Sequence, residues 1–287
     1  MLRSALLLCT FVHLFCIGWT ISLPMGQLIP PWAICFHVPA MVLMAFSHAL
    51  HHMGARQSLA FFALVTAVEW SWEQLNASFG GFIFGPLAYH DTLIGPKLMD
   101  IPVIVPLAYA AIAWPATAMV NVMLHDHPVV RSGAHEPLLH FVWRCAIVST
   151  VHTAWSFGVE PLCIKFGAMH YTDHPVTGTW QPGTFWGVPF TEFRGWWLMA
   201  LFALTLHGRL VAPRLPLPPA KALDLVIDST PCLLYGGFAA WLVVRAIDPV
   251  AGAFSLFTMG LCIVQAGYKT VVLCAKDAAG GAKSKTC

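Results

Sequence analysis

Apolar residues run along this chain in eight blocks, at about 5–23, 31–50, 58–75, 101–124, 137–159, 194–212, 222–245 and 250–273, separated by polar and turn-forming positions. A helix needs roughly 20 apolar residues to cross a bilayer core, and most of these blocks have that length. The pattern predicts an all-α fold: a polytopic integral membrane helical bundle of about eight transmembrane helices, or seven if the first is cleaved. The first block follows Arg3 and has the length of a signal peptide. It is also long enough to span, and no small-x-small cleavage site precedes Pro24, so it reads as a retained helix. There is no internal repeat. Residues 1–275 form one transmembrane domain, PRLPLPP at 213–219 is a stiff turn, and 276–287 is expected to be a short, disordered basic tail.

Two stretches break the pattern. Phe84 to Pro106 reads FGPLAYHDTLIGPKLMDIPVIVP, with glycines, prolines, an aspartate and a lysine set between apolar blocks; Glu160 to Trp196 has the same character. At membrane depth, irregular backbone survives only where it is buried in protein or lines a cavity. Both stretches follow odd-numbered helices, so they emerge on one face and can close over a single cavity.

Composition agrees with this reading. The 287 residues are 58% apolar and 10% charged, with a mean hydropathy of +0.71, against about 25% charge in a soluble domain. A net charge of +2 without a dense basic patch excludes nucleic acid as a partner. Nine cysteines without CxxC spacing read as packing residues. With the N-terminus in the cytoplasm, that side collects ten Lys and Arg residues and the other side four, with Arg144 inside a span. The bias places both termini in the cytoplasm. Asn76-Ala77-Ser78 has the glycosylation pattern but lies too near a helix end to serve as an acceptor.

Ionisable groups within spans are costly, roughly 2.5–3.5 kcal/mol each, and are functional candidates. Glu69 and Glu73 stand four residues apart on one face of the third helix; Asp224 and Asp228 repeat the spacing on the seventh, near its start, where acids also suit the helix dipole. A carboxyl aimed into the bundle stays protonated because burial disfavours its ionised form. His48, His51 and His52 have the HxxHH spacing of membrane di-iron oxygenases, and His170 with His174 supplies HxxxH. No second HxxHH exists, and the two groups fall on opposite faces, so they read as interfacial histidines with hydrogen-bonded rings, and no metal is expected. Among twelve tryptophans, Trp196 and Trp197 sit at a helix start as an interfacial belt. Trp70, Trp72, Trp155, Trp180 and Trp186 lie near the polar stretches, where an aromatic wall can hold a polyene or steady a cation.

Together the two stretches resemble the membrane carotenoid hydratases, which act on gamma-carotene-type or bisanhydrobacterioruberin substrates. The similarity rests on Phe84-Gly85, Tyr89 and Asp91, Gly95 to Leu98, Ile101-Pro102 and Val105 to Tyr109, with Glu73 as an acid ahead of the glycine-rich turn. Later come Glu160-Pro161, Trp186 to Pro189 and Gly195-Trp196, so that it covers roughly residues 65–210. Departures are an extra residue between Asp91 and Gly95, Ser156 in place of an aspartate, Glu192 in place of an asparagine, and Glu160 as a longer acid.

The resemblance implies a cofactor-independent enzyme that adds water to the acyclic-end double bond of a carotenoid, giving a tertiary alcohol. Asp91 or Glu73 would deliver the proton, Glu160 would position or deprotonate the water, and Tyr89 would orient them. Trp72, Phe84, Trp155, Trp180, Trp186 and Glu192 would line the substrate site. The implied partners are membrane lipid, the carotenoid and other enzymes of carotenoid synthesis. Two alternatives share these residues: a membrane terpene or carotenoid cyclase that starts with the same protonation, and a non-catalytic lipid or carotenoid carrier or transporter.

Overall fold

The structure, a computed structural model, describes residues 2–22, 31–90, 94–130, 136–172, 184–219, 221, 223–245 and 249–284. The apolar blocks become helices α1 (Leu2–Ser22), α2 (Pro31–Ser78), α3 (Ile104–His125), α4 (Leu138–Lys165), α5 (Phe190–Leu206), α6 (Leu225–Asp228), α7 (Thr230–Arg245) and α8 (Pro249–Ser284). Among the described residues, five stretches are long and apolar enough to cross a membrane: Arg3–Thr20, Ile104–His125, Phe190–Arg214, Leu225–Arg245 and Pro249–Asp277. The fold is all-α and membrane-like. Helix α3 is its axis, packed against α2, α4, α7 and α8 and buried almost continuously from Tyr109 to Val122.

Several boundaries differ from those the hydropathy pattern predicts. The second and third blocks are the two arms of α2, which turn on each other at Gly54, whose φ of 74° and ψ of 171° are non-helical; Phe46 and Phe62, one on each arm, meet with ring centroids 5.3 Å apart. Ser58 Oγ donates to the freed Gly54 carbonyl at 2.8 Å, so one residue absorbs the break where a loop was expected. The seventh block divides into α6 and α7. Asp224 caps α6 by accepting from the Val226 and Ile227 backbone N–H groups, at 2.9 and 3.2 Å. Helix α5 ends in a wider turn, His207–Val211, then a tighter one, Ala212–Arg214. Helix α8 continues to Ser284, past the 276 boundary expected for the tail.

The polar stretches form short strands: β1 (Leu87–Tyr89), β2 (Lys97–Leu98), β3 (Ile101–Pro102), β4 (Met169–Tyr171), β5 (Thr184–Phe185) and β6 (Val188–Pro189). Strand β1 from the first pairs antiparallel with β4 from the second, with Leu87 opposite Tyr171 and Tyr89 opposite Met169. The two stretches therefore share one face, joined by backbone hydrogen bonds. Strands β5 and β6 close a hairpin whose two central residues, Trp186 and Gly187, both have positive φ (49° and 89°). That is the demand of the tight turn that matches strand twist, and it gives the Trp186 to Pro189 sequence its local meaning.

Asn76 anchors the first stretch to α2. Its Oδ1 accepts the Ile83 and Phe84 N–H groups at 3.0 and 2.9 Å, and its Nδ2 donates to the Gly85 carbonyl at 2.9 Å. At Gly81 a Cβ would lie 2.2 Å from the Pro86 nitrogen, so only glycine permits the crossing. Gln74 holds the β2–β3 hairpin through Asp100, and Lys97 Nζ donates to the Tyr89 carbonyl at 2.9 Å. This places Tyr89 over the bundle.

Candidate active site

Three helices bring buried glutamates to this region: Glu73 (with Glu69 one turn before it) on α2, Glu160 on α4 and Glu192 on α5. Glu73 Oε1 accepts two phenol hydroxyls, Tyr89 from β1 at 3.1 Å and Tyr109 from α3 at 3.0 Å. With both donors on one oxygen, a proton on Glu73 belongs on Oε2, directed away from the tyrosines. Glu192 Oε1 accepts the Trp196 indole N–H at 2.9 Å. Burial first, then the charges of neighbouring Glu73, Glu160 and Glu192, hold the Tyr89 hydroxyl well above the usual phenol range. Tyr171 on β4 is held high by burial and by Glu192 and Glu160. Both phenols therefore remain O–H donors. Glu160 Oε2, Glu192 Oε2 and the Tyr171 hydroxyl are buried without hydrogen-bond partners among the described residues.

A cavity of about 390 Å³ opens against this cluster. Tyr89, Tyr109, Glu160, His37 and Thr20 are among its polar lining, and Trp155, Trp196 and Phe238 among its aromatic lining. Trp155 stacks on Phe238 with centroids 3.5 Å apart and planes 6° from parallel; Trp196 meets Tyr109 edge-on at 4.2 Å. The remaining walls are largely aliphatic. The result is a largely apolar chamber with one carboxyl and two phenols on its wall, suited to an apolar substrate on which a proton is moved.

The site residues expected from the sequence divide in three. Glu73, Tyr89, Glu160 and Trp155 are brought together at the cavity or next to it. Glu160 arrives from a helix, since α4 runs on through Pro161 to Lys165 rather than stopping at 159. Glu192 lies behind Trp196. Phe84, fully buried, packs on Gly195; Trp72 leans on Phe202 at 5.8 Å; Trp186 sits in the β5–β6 turn against Phe185. None of these last three lines the cavity. Asp91, Trp180 and His174 lie outside the described residues. Ser156 donates to the Thr153 carbonyl at 2.9 Å and takes no part.

Sequence reasoning missed Tyr109, Tyr171 and the fully buried His152, whose ring lies 5.3 Å from Trp196 and 6.1 Å from Tyr109. Tyr109 was visible inside the Val105 to Tyr109 motif, one turn into α3; no spacing signal pointed to Tyr171 or His152. The expectation for Trp196 is corrected: it is 2% exposed and donates to Glu192, so it belongs to the core and not to an interfacial belt.

A second polar cluster sits five residues further along α3 from Tyr109, where Trp114 meets His48. His52 Nε2 lies 2.7 Å and His48 Nε2 3.6 Å from Asp228 Oδ1, and all three residues are buried with the spacing of metal ligands. The tautomers oppose that use. The Trp114 indole N–H can only donate, and it bonds His48 Nδ1 at 3.0 Å. A neutral His48 therefore carries its proton on Nε2, facing Asp228. A metal on Nε2 would place that proton on Nδ1 against the indole N–H. The donor set fits a carboxylate hydrogen-bonded by His52 and faced by the His48 Nε2–H at 3.6 Å, with Asp228 Oδ2 accepting the Asp224 backbone N–H at 2.6 Å. The expected pairing of Asp224 with Asp228 thus separates into a helix cap and a latch to α2.

Fold and site together define a membrane-type helical bundle with a buried carboxyl pocket beneath paired loops. A model of the carotenoid biosynthesis protein family matches residues 30–264, and the chain belongs to that family. No curated protein and no solved structure matches it.

Proposed function

We propose that this protein is a cofactor-independent hydratase that adds water across the double bond at the acyclic end of a carotenoid. The observation that supports the reading is Glu73, buried next to the cavity with two of its lining phenols, Tyr89 and Tyr109, converging on Oε1, while Glu160 lines the chamber from another helix. The Oε2 proton goes to the less substituted alkene carbon as the π bond breaks. The tertiary cation that forms lies among Trp155 and Trp196, whose ring faces attract positive charge. Water bonds that carbon as Glu160 takes one of its protons, and the product is a tertiary alcohol. Glu73 is left ionised and Glu160 protonated; passing one proton back restores both, so no net proton is consumed. The Tyr89 and Tyr109 hydroxyls are positioned to stabilise the Glu73 carboxylate as it forms. Asp91 stands as the other acid able to deliver the proton.

The substrate enters from the bilayer, which suits a multi-pass protein with both termini in the cytoplasm, as the ten-to-four Lys and Arg bias supports. Membrane lipid and other carotenoid enzymes are its partners in this reading. Expression in bacteria that make lycopene and gamma-carotene, grown in H₂¹⁸O, tests it. The expected result is a tertiary alcohol carrying ¹⁸O. Glu73→Gln should lower its yield at least about 10²-fold, the typical worth of one acid–base group. A new cyclic pigment without ¹⁸O would replace hydration by cyclisation. Unchanged pigment co-purifying with the protein would make it a carrier.

A further inference from the structure

Glu69 has no role in the reaction so far, yet it is 0% exposed and neither carboxyl oxygen has a hydrogen-bond partner among the described residues. A buried polar atom left unpaired costs about 1–3 kcal/mol. Glu69 stands one helical turn before Glu73 on the buried face of α2. Side chains four apart on a helix have Cβ atoms about 5–6 Å from one another, which lets the two carboxyls meet directly or through one water.

We propose that Glu69 is a positioning residue that keeps its own proton and donates it as a hydrogen bond to Glu73 when Glu73 protonates the substrate. This rests on the hydratase reading. Protonating an unactivated alkene needs an acid whose conjugate base is well stabilised. Tyr89 and Tyr109 supply two O–H donors to Oε1, and Glu69 supplies a third from one turn away on the same helix. While Glu73 is neutral, Glu69 has little to bond; as the proton leaves for carbon, charge grows on Glu73 and the Glu69 O–H bond strengthens with it. No proton changes owner in this step: Glu69 O–H remains intact, and the single negative charge is shared across the pair. The contact therefore favours the transition state over the bound substrate, and so affects kcat rather than KM.

The test is steady-state kinetics of the full chain in lipid nanodiscs with lycopene as substrate, comparing Glu69→Leu, Glu69→Gln, Glu73→Gln and the unaltered protein. Glu69→Leu removes the donor and should lower kcat about 10²-fold with KM within about twofold. Glu69→Gln keeps an N–H donor of similar reach and should recover most of that loss. Glu69→Leu turning over at the unaltered rate would overturn the proposal. So would equal losses in Glu69→Leu and Glu69→Gln, or a loss carried mainly by KM, since a structural role predicts those results. If Glu69→Leu does not fold, Glu69→Gln against Glu69→Asp decides: the proposal requires both to stay within about tenfold of the unaltered kcat. Full activity in Glu73→Gln would instead refute the hydratase assignment of Glu73, and is read separately.

Discussion

Replacing Asn76 with alanine should loosen the active site without touching any group in it. The side chain, 1% exposed, makes three hydrogen bonds to the backbone of residues 83–85, between 2.9 and 3.0 Å. Each contributes about 1 kcal/mol net, and every buried donor or acceptor left unpaired costs about 1–3 kcal/mol. Some of those groups will recruit water in the space the side chain vacates, so the expected loss for Asn76→Ala is about 3–5 kcal/mol. Asn76→Asp keeps the two accepted N–H bonds and opposes an oxygen to the Gly85 carbonyl; its loss should be smaller, about 2 kcal/mol. Strand β1 begins at Leu87 and carries Tyr89 to Glu73, so turnover should fall together with stability. The assay is reversible unfolding in mixed micelles by SDS titration, followed by tryptophan fluorescence, with carotenoid turnover measured on the same samples. An alanine variant within about 1 kcal/mol of the unaltered protein would refute the claim that this clamp sets the loop.

Gly195→Ala should destabilise the protein by about 1–3 kcal/mol, the usual cost of overpacking, because its Cβ would lie 2.1 Å from Cδ1 of fully buried Phe84. Thermal melts should show the loss, and Phe84→Leu in the same chain should restore part of it; a melt unchanged by Gly195→Ala would contradict the packing. Glu136 lies against Arg144, with bonds of 2.8 and 3.3 Å. Burial pushes its carboxyl up, but the hydrogen bond and charge of Arg144 outweigh this and hold it below the usual range. The folded value is depressed, so its contribution to stability is present above the unfolded value of about 4.3 and is lost as pH falls through the folded one. Stability measured from about pH 6 down to pH 3 should therefore fall less steeply in Glu136→Gln than in the unaltered protein; identical slopes would exclude the pair as the cause.

How much of this was legible depended on which forces act locally. Length and apolarity of the blocks are local, and α1 and α3 fall close to where the hydropathy pattern predicts them. The boundaries that moved are those where tertiary contacts override local signals: the loop expected over residues 51–57 shrinks to a turn at Gly54, and α4 passes through Pro161 toward the sheet. The convergence of the two irregular stretches on one face followed from counting odd and even helices, since backbone at membrane depth must find protein partners.

The sequence by itself determined the class of molecule, the two loop segments and the acids Glu73 and Glu160, because hydropathy and the scarcity of charge within apolar blocks are properties of composition and order. Only the tertiary structure decided which groups meet. Tyr109 reaches Glu73 from 36 residues away and Tyr171 arrives through strand pairing, while Trp196 turns inward to Glu192 and Asp228 is claimed by His52. Such meetings depend on how the helices are rotated against one another, a property of side-chain packing across the bundle that no single segment encodes.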